Sequence, residues 1–186
     1  MSTASEANIS CVTVLSQLEA SEAILGSTAY QRFLESLEPA DRDTLASLTA
    51  VGWVPVSLSH RLMEAAARTA SKPYLEFHDA VVRATLQKNY KTVWRALMTF
   101  TSDEALIARA SSMVHRAYDR GEVTAAIPSR GKAVVVVKQW PSMPDRVFFG
   151  LRAAIETVLE LSRRKGAAVV GHRTADGARF DCSWPV

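Results

Sequence analysis

GEVTAAIPSRGKAVVVVKQW, residues 121–140, is where the hydrophobic period of this chain changes from helical to extended. Gly121 is placed to end a helix, because glycine adopts the left-handed conformation there at no steric cost. Glu122–Ile127 and Lys132–Trp140 then read as two strands joined by a Pro-Ser-Arg-Gly turn. The β-branched run Val134–Val137 is the pattern of a strand buried on both faces.

Downstream, Pro141 and Pro144 punctuate, and a helix is expected over residues 145–165 with Phe148, Leu151, Ile155, Val158 and Leu159 inward. Arg163, Arg164 and Lys165 place cations at the negative end of its dipole, and Gly166 follows as a stop. Phe149 and Ala154 lie off the main stripe, so this helix needs a second surface to bury against. Residues 167–172 and 178–184 read as two further strands around Ala175-Asp176-Gly177, Asp-Gly being a strong hairpin signal. Phe180, Cys182 and Trp184 alternate with Arg179, Asp181 and Ser183, which predicts that Cys182 and Trp184 are buried.

Upstream, the periodicity is helical. Thr28-Ala29-Tyr30-Gln31 is a capping-box pattern ahead of Phe33, Leu34 and Leu37, and Pro39 suits the first position of a short helix that Gly52 ends. Trp53–Val56 is extended before a helix that Ser57 or Ser59 can cap. A long helix is expected over residues 74–98, and Thr101–Glu104 is a capping box opening another. The fold class is therefore α+β: an N-terminal helical bundle, then a four-stranded antiparallel sheet of two hairpins crossed by a long helix. Residues 1–10 are expected to be a flexible N-terminus and 11–186 a single domain.

Charge is uneven. The net charge is +3, yet residues 1–60 hold seven acidic side chains against Arg32 and Arg42. Two cysteines, Cys11 and Cys182, stand far apart, without the spacing of a structural zinc site. The first residues lack the charged and apolar regions of a signal peptide, and no window is apolar enough to span a membrane. A cytoplasmic location is expected, with no membrane partner.

Chemistry-bearing groups are sparse. There is no Gly-x-Ser-x-Gly elbow and no Gly-rich phosphate cradle. His78 stands beside Asp79, and His115 lies four residues before Asp119, but neither has a nucleophile in sequence register. His172 and Cys182 are read as facing each other across the last hairpin, and two ligands do not make a tetrahedral site. Cys182 reads better as a small hydrophobe. Residues 39–70 outline a helix-turn-helix bearing Ser59, His60 and Arg61. Gly52–Leu58 is too long for the usual turn, and the first helix is acidic. Nor do aromatics interleave with basic residues as a stacking platform requires.

The stretch Phe33–Leu45, then Gly52-Trp53-Val54-Pro55, the helix containing Ala84–Asn89, and the terminal Ser183-Trp184 together resemble a conserved-hypothetical family known mainly from myxobacteria. That family is similar to vinyl-reductase-type small-molecule-binding domains, heme–nitric-oxide-binding domains and Golgi transport tethering subunits. The resemblance implies an α+β domain that binds apolar small molecules, heme or partner proteins, often as a dimer, in a regulatory role. Two departures stand out. The zinc cysteines of the vinyl-reductase type fall at Val170 and Ala178 here. Of the heme domains' Tyr-x-Ser-x-Arg signature and upstream histidine, only Tyr118-Asp119-Arg120 and His115 are present.

The expectation is a non-enzymatic cytoplasmic signalling or regulatory protein, without metal or cofactor, acting through a protein partner or a small apolar ligand. A homodimer is expected, and nucleic acid is not an expected partner. Tyr90, Trp94, Met98 and Met113 are the candidate ligand pocket. The alternatives are an enzyme, which would show convergent titratable groups in a cleft, or a DNA-binding regulator.

Overall fold

In the computed structural model, residues 6–89, 102, 112 and 114–186 are described. The chain divides into two compact units, Met1–Thr85 with Ala117–Asp119, and Leu86–Arg116 with Arg120–Val186. The sequence reads as one domain because no Pro- or Gly-rich linker marks the boundary. It falls inside a continuous helix, α5 (Tyr74–Asn89).

In the first unit, β1 (Asn8–Ser10) lies at the end of the 1–10 stretch. It pairs antiparallel with β2 (Trp53–Pro55), Ile9 opposite Val54, and Ile9 is buried. Helix α1 (Cys11–Leu25) follows directly, its first amide donating to the Gly52 carbonyl at 3.0 Å. Gly26, at φ 77°, separates α1 from α2 (Ser27–Glu35). The Thr28 capping box does not cap, because the helix starts at Ser27. Pro39 opens α3 (Pro39–Ser47) as expected. Helix α4 (Val56–Thr69) is capped not by Ser57 or Ser59 but from a distance: the Ser57 amide donates to Glu6 Oε1 at 2.8 Å. Glutamate on free helical N–H groups also meets the positive end of the dipole.

The core of this unit is Val14 and Leu18 of α1, Phe33 of α2, Leu62, Met63 and Ala66 of α4, and Phe77 and Val81 of α5. A buried polar cluster joins α1 to α4. Ser59 Oγ donates to Gln17 Oε1 at 3.1 Å, and Ser21 Oγ donates to the Gln17 carbonyl at 2.8 Å. Arg61 clamps Asp41 through two hydrogen bonds, Nε to Oδ2 at 2.8 Å and Nη2 to Oδ1 at 2.7 Å. Those hydrogen bonds hold the Asp41 carboxyl below its ordinary range against its partial burial. A depressed native pKa means stability that is full at neutral pH and lost as pH falls through that lowered value. Asp41→Asn is expected to remove this acid-labile part. Arg61 is half exposed and solvent screens the pair, so the loss at neutral pH is about 1 kcal/mol or less, read as the pH dependence of urea unfolding.

The second unit holds the sheet. Strands β3 (Glu122–Ser129), β4 (Lys132–Lys138), β5 (Ala168–Thr174) and β6 (Gly177–Ser183) are antiparallel in the order β3-β4-β6-β5. Each hairpin pairs internally, and β4 with β6 joins them, Val135 opposite Phe180. Helix α6 (Asp145–Leu161) crosses the sheet, its Phe148 ring stacked 5.2 Å from Phe180. It stops four residues before Lys165. Ser162 Oγ bonds back to the Leu159 carbonyl and Arg163 turns left-handed at φ 65°.

Two expectations are corrected here. The valine run is buried on one face only: Val135 and Val137 are buried, Val134 and Val136 half-buried. Trp184 is half-buried rather than buried, because β6 ends at Ser183 and the indole lies beneath Arg164, whose guanidinium sits 5.5 Å from the ring.

Candidate functional site

Tyr90, Trp94, Met98 and Met113, the pocket expected from the sequence, lie outside the described residues. The other chemistry-bearing groups singled out in the sequence lie among the described residues.

On α5, one turn apart, the rings of Tyr74 and His78 stack 5.4 Å from each other at 15°. His78 is buried. Asp79, its neighbour in sequence, pairs with Arg83, which donates from Nε to Oδ2 at 2.7 Å.

Residues 114–117 are helical, and His115 among them is exposed. Tyr118 forms a β-bridge to Ile9. The residue is half-buried, with its hydroxyl the interior end, and burial pushes that phenol up to about 12. Asp119 is spent on β1: the Asn8 amide donates to its Oδ1 at 2.8 Å and Asn8 Nδ2 to its Oδ2 at 2.7 Å. These residues do not fit a heme. The stretch that stands in for the heme signature fastens the first unit's N-terminal strand, and the upstream histidine faces solvent.

In the last hairpin, His172 lies opposite Arg179, and Cys182 opposite Val169, so the two potential ligands do not face each other. His172 Nε2 approaches Asp181 Oδ2 at 3.7 Å on the exposed side of the sheet, and Arg179 grips the same carboxylate. Cys182 is buried on the opposite side. Burial, reinforced by the negative charges of Asp181 and Glu156, pushes its thiol up to about 11, so it packs as a neutral hydrophobe. Val170 and Ala178, where zinc cysteines stand in the vinyl-reductase type, are respectively exposed and buried, and pair with Asp181 and Arg173. Among the described residues, no three His, Cys, Asp or Glu side chains converge as metal ligands would.

The helix-turn-helix outline also dissolves. The segment between α3 and α4 contains β2, paired to β1; Ser59 is buried, and Arg61 is bound to Asp41. Sequence reasoning missed the Gln17–Ser21–Ser59 cluster and the Asn8–Asp119 tie. The i, i+4 spacing of Gln17 and Ser21 on an apolar helix face was a usable signal for the first. Nothing local announces the second.

No protein-family model matches this chain, and no curated protein matches it in sequence. Its fold, however, has clear likenesses among solved structures. The crystal structure of the Fe(II) unliganded H-NOX protein from K. algicida superposes with a TM-score of 0.69 at 10% identity, covering 96% of this chain and 97% of that one. The H-NOX protein from S. oneidensis in the Fe(II)NO ligation state gives 0.65 at 13% identity, covering 96% and 99%. A variant of T. tengcongensis H-NOX gives 0.64 at 12%, covering 96% and 98%. From one end to the other, this chain is similar in fold to an H-NOX domain.

Proposed function

We propose that this chain is a non-enzymatic signalling domain of H-NOX-like architecture that senses by binding a small apolar molecule, without heme. The observation that carries the reading is the Asn8–Asp119 pair. Over a fold shared with sensor proteins, the residues nearest to a heme signature are turned into a structural fastening. The groups that could have served catalysis support it too: His78 is stacked, Asp79 is ion-paired and Cys182 is held as a protonated thiol. A cytoplasmic setting suits two buried, free thiols. No helix among the described residues is long and apolar enough to cross a membrane.

The test is native mass spectrometry of protein purified from its own host. The expected spectrum shows the 20.3 kDa chain carrying a non-covalent small molecule that leaves on denaturation. A bare chain whose thermal unfolding is also unmoved by a panel of apolar compounds overturns the reading. A second protein in place of a small molecule assigns the same fold to protein recognition instead.

A further inference from the structure

Three chain segments meet at one end of the sheet in the second unit. Lys132 opens β4 opposite Ser183, the last residue of β6, and Ser183 stands opposite Ala168, the first of β5. The β3–β4 turn with Arg130 lies at this end, and so does the run Arg163-Arg164-Lys165 that leads towards β5. The segment 184–186 ties the two turns together. Trp184 donates its amide to the Gly131 carbonyl at 2.9 Å and carries the Arg164 guanidinium 5.5 Å from its ring. Pro185 follows, 3.7 Å from where a Cβ on Gly166 would stand.

The charges gathered here are left over by the fold. Arg130, Lys132, Arg163 and Lys165 are exposed. In the same unit Arg152, Arg173 and Arg179 pair with Glu156, Asp145 and Asp181. Among the described residues, Arg130, Lys132, Arg163 and Lys165 form no such pair. Glu160, on the last turn of α6, is the acidic side chain nearest to the arginine run in sequence. Two inter-strand spacings separate Lys132 from Ala168, about 10 Å. That is close to the Debye length at physiological ionic strength, about 8 Å, so the charges reinforce one another.

The layout decides what this end recognises. The cations sit on separate segments that stop at the same level along the strands, so a plane of negative charge meets them together. Among the described residues they form no stripe along a helix for a nucleic-acid backbone to track, and one face of the Trp184 ring is taken by Arg164. A half-buried indole among arginines and lysines, with Pro128 and Pro185 exposed beside it, suits a lipid headgroup layer.

We propose that this end of the sheet docks on an anionic bilayer surface. Arg130, Lys132, Arg163 and Lys165 meet the acidic lipid headgroups, and Trp184 lies at their level. The sequence expectation of no membrane partner concerns a segment that spans a bilayer. Attachment to its surface rests on charge and needs no span.

Co-sedimentation of the full chain with phosphatidylglycerol vesicles, against phosphatidylcholine vesicles, gives the first readout. The chain is expected to pellet with the anionic vesicles alone, and to be released at about 1 M salt, where the Debye length falls to about 3 Å. Lys132→Ala and Lys165→Ala should each weaken the binding about fivefold. Lys138→Ala is the control. Lys138 is exposed at the far end of the same strand, about 20 Å from Lys132, and its loss should leave binding unchanged. A second readout does not depend on these variants folding. Tryptophan emission should move to the blue on anionic vesicles, and the shift should be missing from Trp184→Phe. A chain that stays in the supernatant overturns the proposal. So does an equal loss from Lys138→Ala, or a blue shift that persists in Trp184→Phe. Polyglutamate or a random DNA duplex that displaces the chain from vesicles of equal total charge also overturns it, the occupant then being an acidic protein or a nucleic acid.

Discussion

Gly177→Ala should cost about 4 kcal/mol, the sum of overpacking and backbone strain, and shift the urea unfolding midpoint accordingly. Gly177 has φ 154°, at the edge of the region L side chains avoid. More important is what a Cβ would meet. It would lie 2.3 Å from the Val137 carbonyl oxygen and 3.1 Å from the Val137 carbonyl carbon. These are backbone atoms of β4, paired on both sides, and they have no rotamer with which to yield. The residue also begins β6, next to Ala178 opposite Val137, so the clash would separate the two hairpins where they join. Gly166→Ala is the control. Its Cβ would approach only Pro185, at 3.7 Å, and left-handed backbone strain alone predicts about 1 kcal/mol.

Phe180→Ala is the second large effect, with an expected loss of about 3–5 kcal/mol. Phe180 is fully buried, lies opposite Val135 on one side and Gly171 on the other, and stacks on Phe148 of α6. Its removal leaves a void that neighbours cannot fill. Gly171 has no side chain to move, and the Phe148 Cζ already lies 2.6 Å from where a Gly171 Cβ would stand. Phe180→Leu should recover part of the loss. Equal midpoints for wild type and Phe180→Ala would mean that the helix does not pack on the sheet as described.

These two residues belong to the part of the fold that was legible in the sequence. The switch of period at Gly121 and the Asp176-Gly177 turn are local signals, and both hairpins follow from them. What escaped depends on contacts between distant residues. Strand β1 is three residues long and its partner lies beyond three helices, so no periodicity could reveal it. Asp119 reaches Asn8 across 111 residues, and only that contact shows that the Tyr118-Asp119-Arg120 stretch is structural. The burial of the β4 valines and of Trp184 departs from the sequence expectation for a shared reason. Burial depends on what covers a strand face and on where the strand ends, and neither is written in the strand's own residues.

Titration of the purified chain with hemin under reducing conditions, followed by visible absorption, shows whether this domain takes up heme. A domain whose nearest heme-signature residues hold β1 in place should give the spectrum of free heme at every ratio. Thermal unfolding should be unchanged as well, since a ligand that does not bind the native state cannot stabilise it. A saturable one-to-one Soret band with a raised unfolding temperature would contradict the account. It would show that this H-NOX-like fold holds heme through residues other than His115 and Tyr118-Asp119-Arg120.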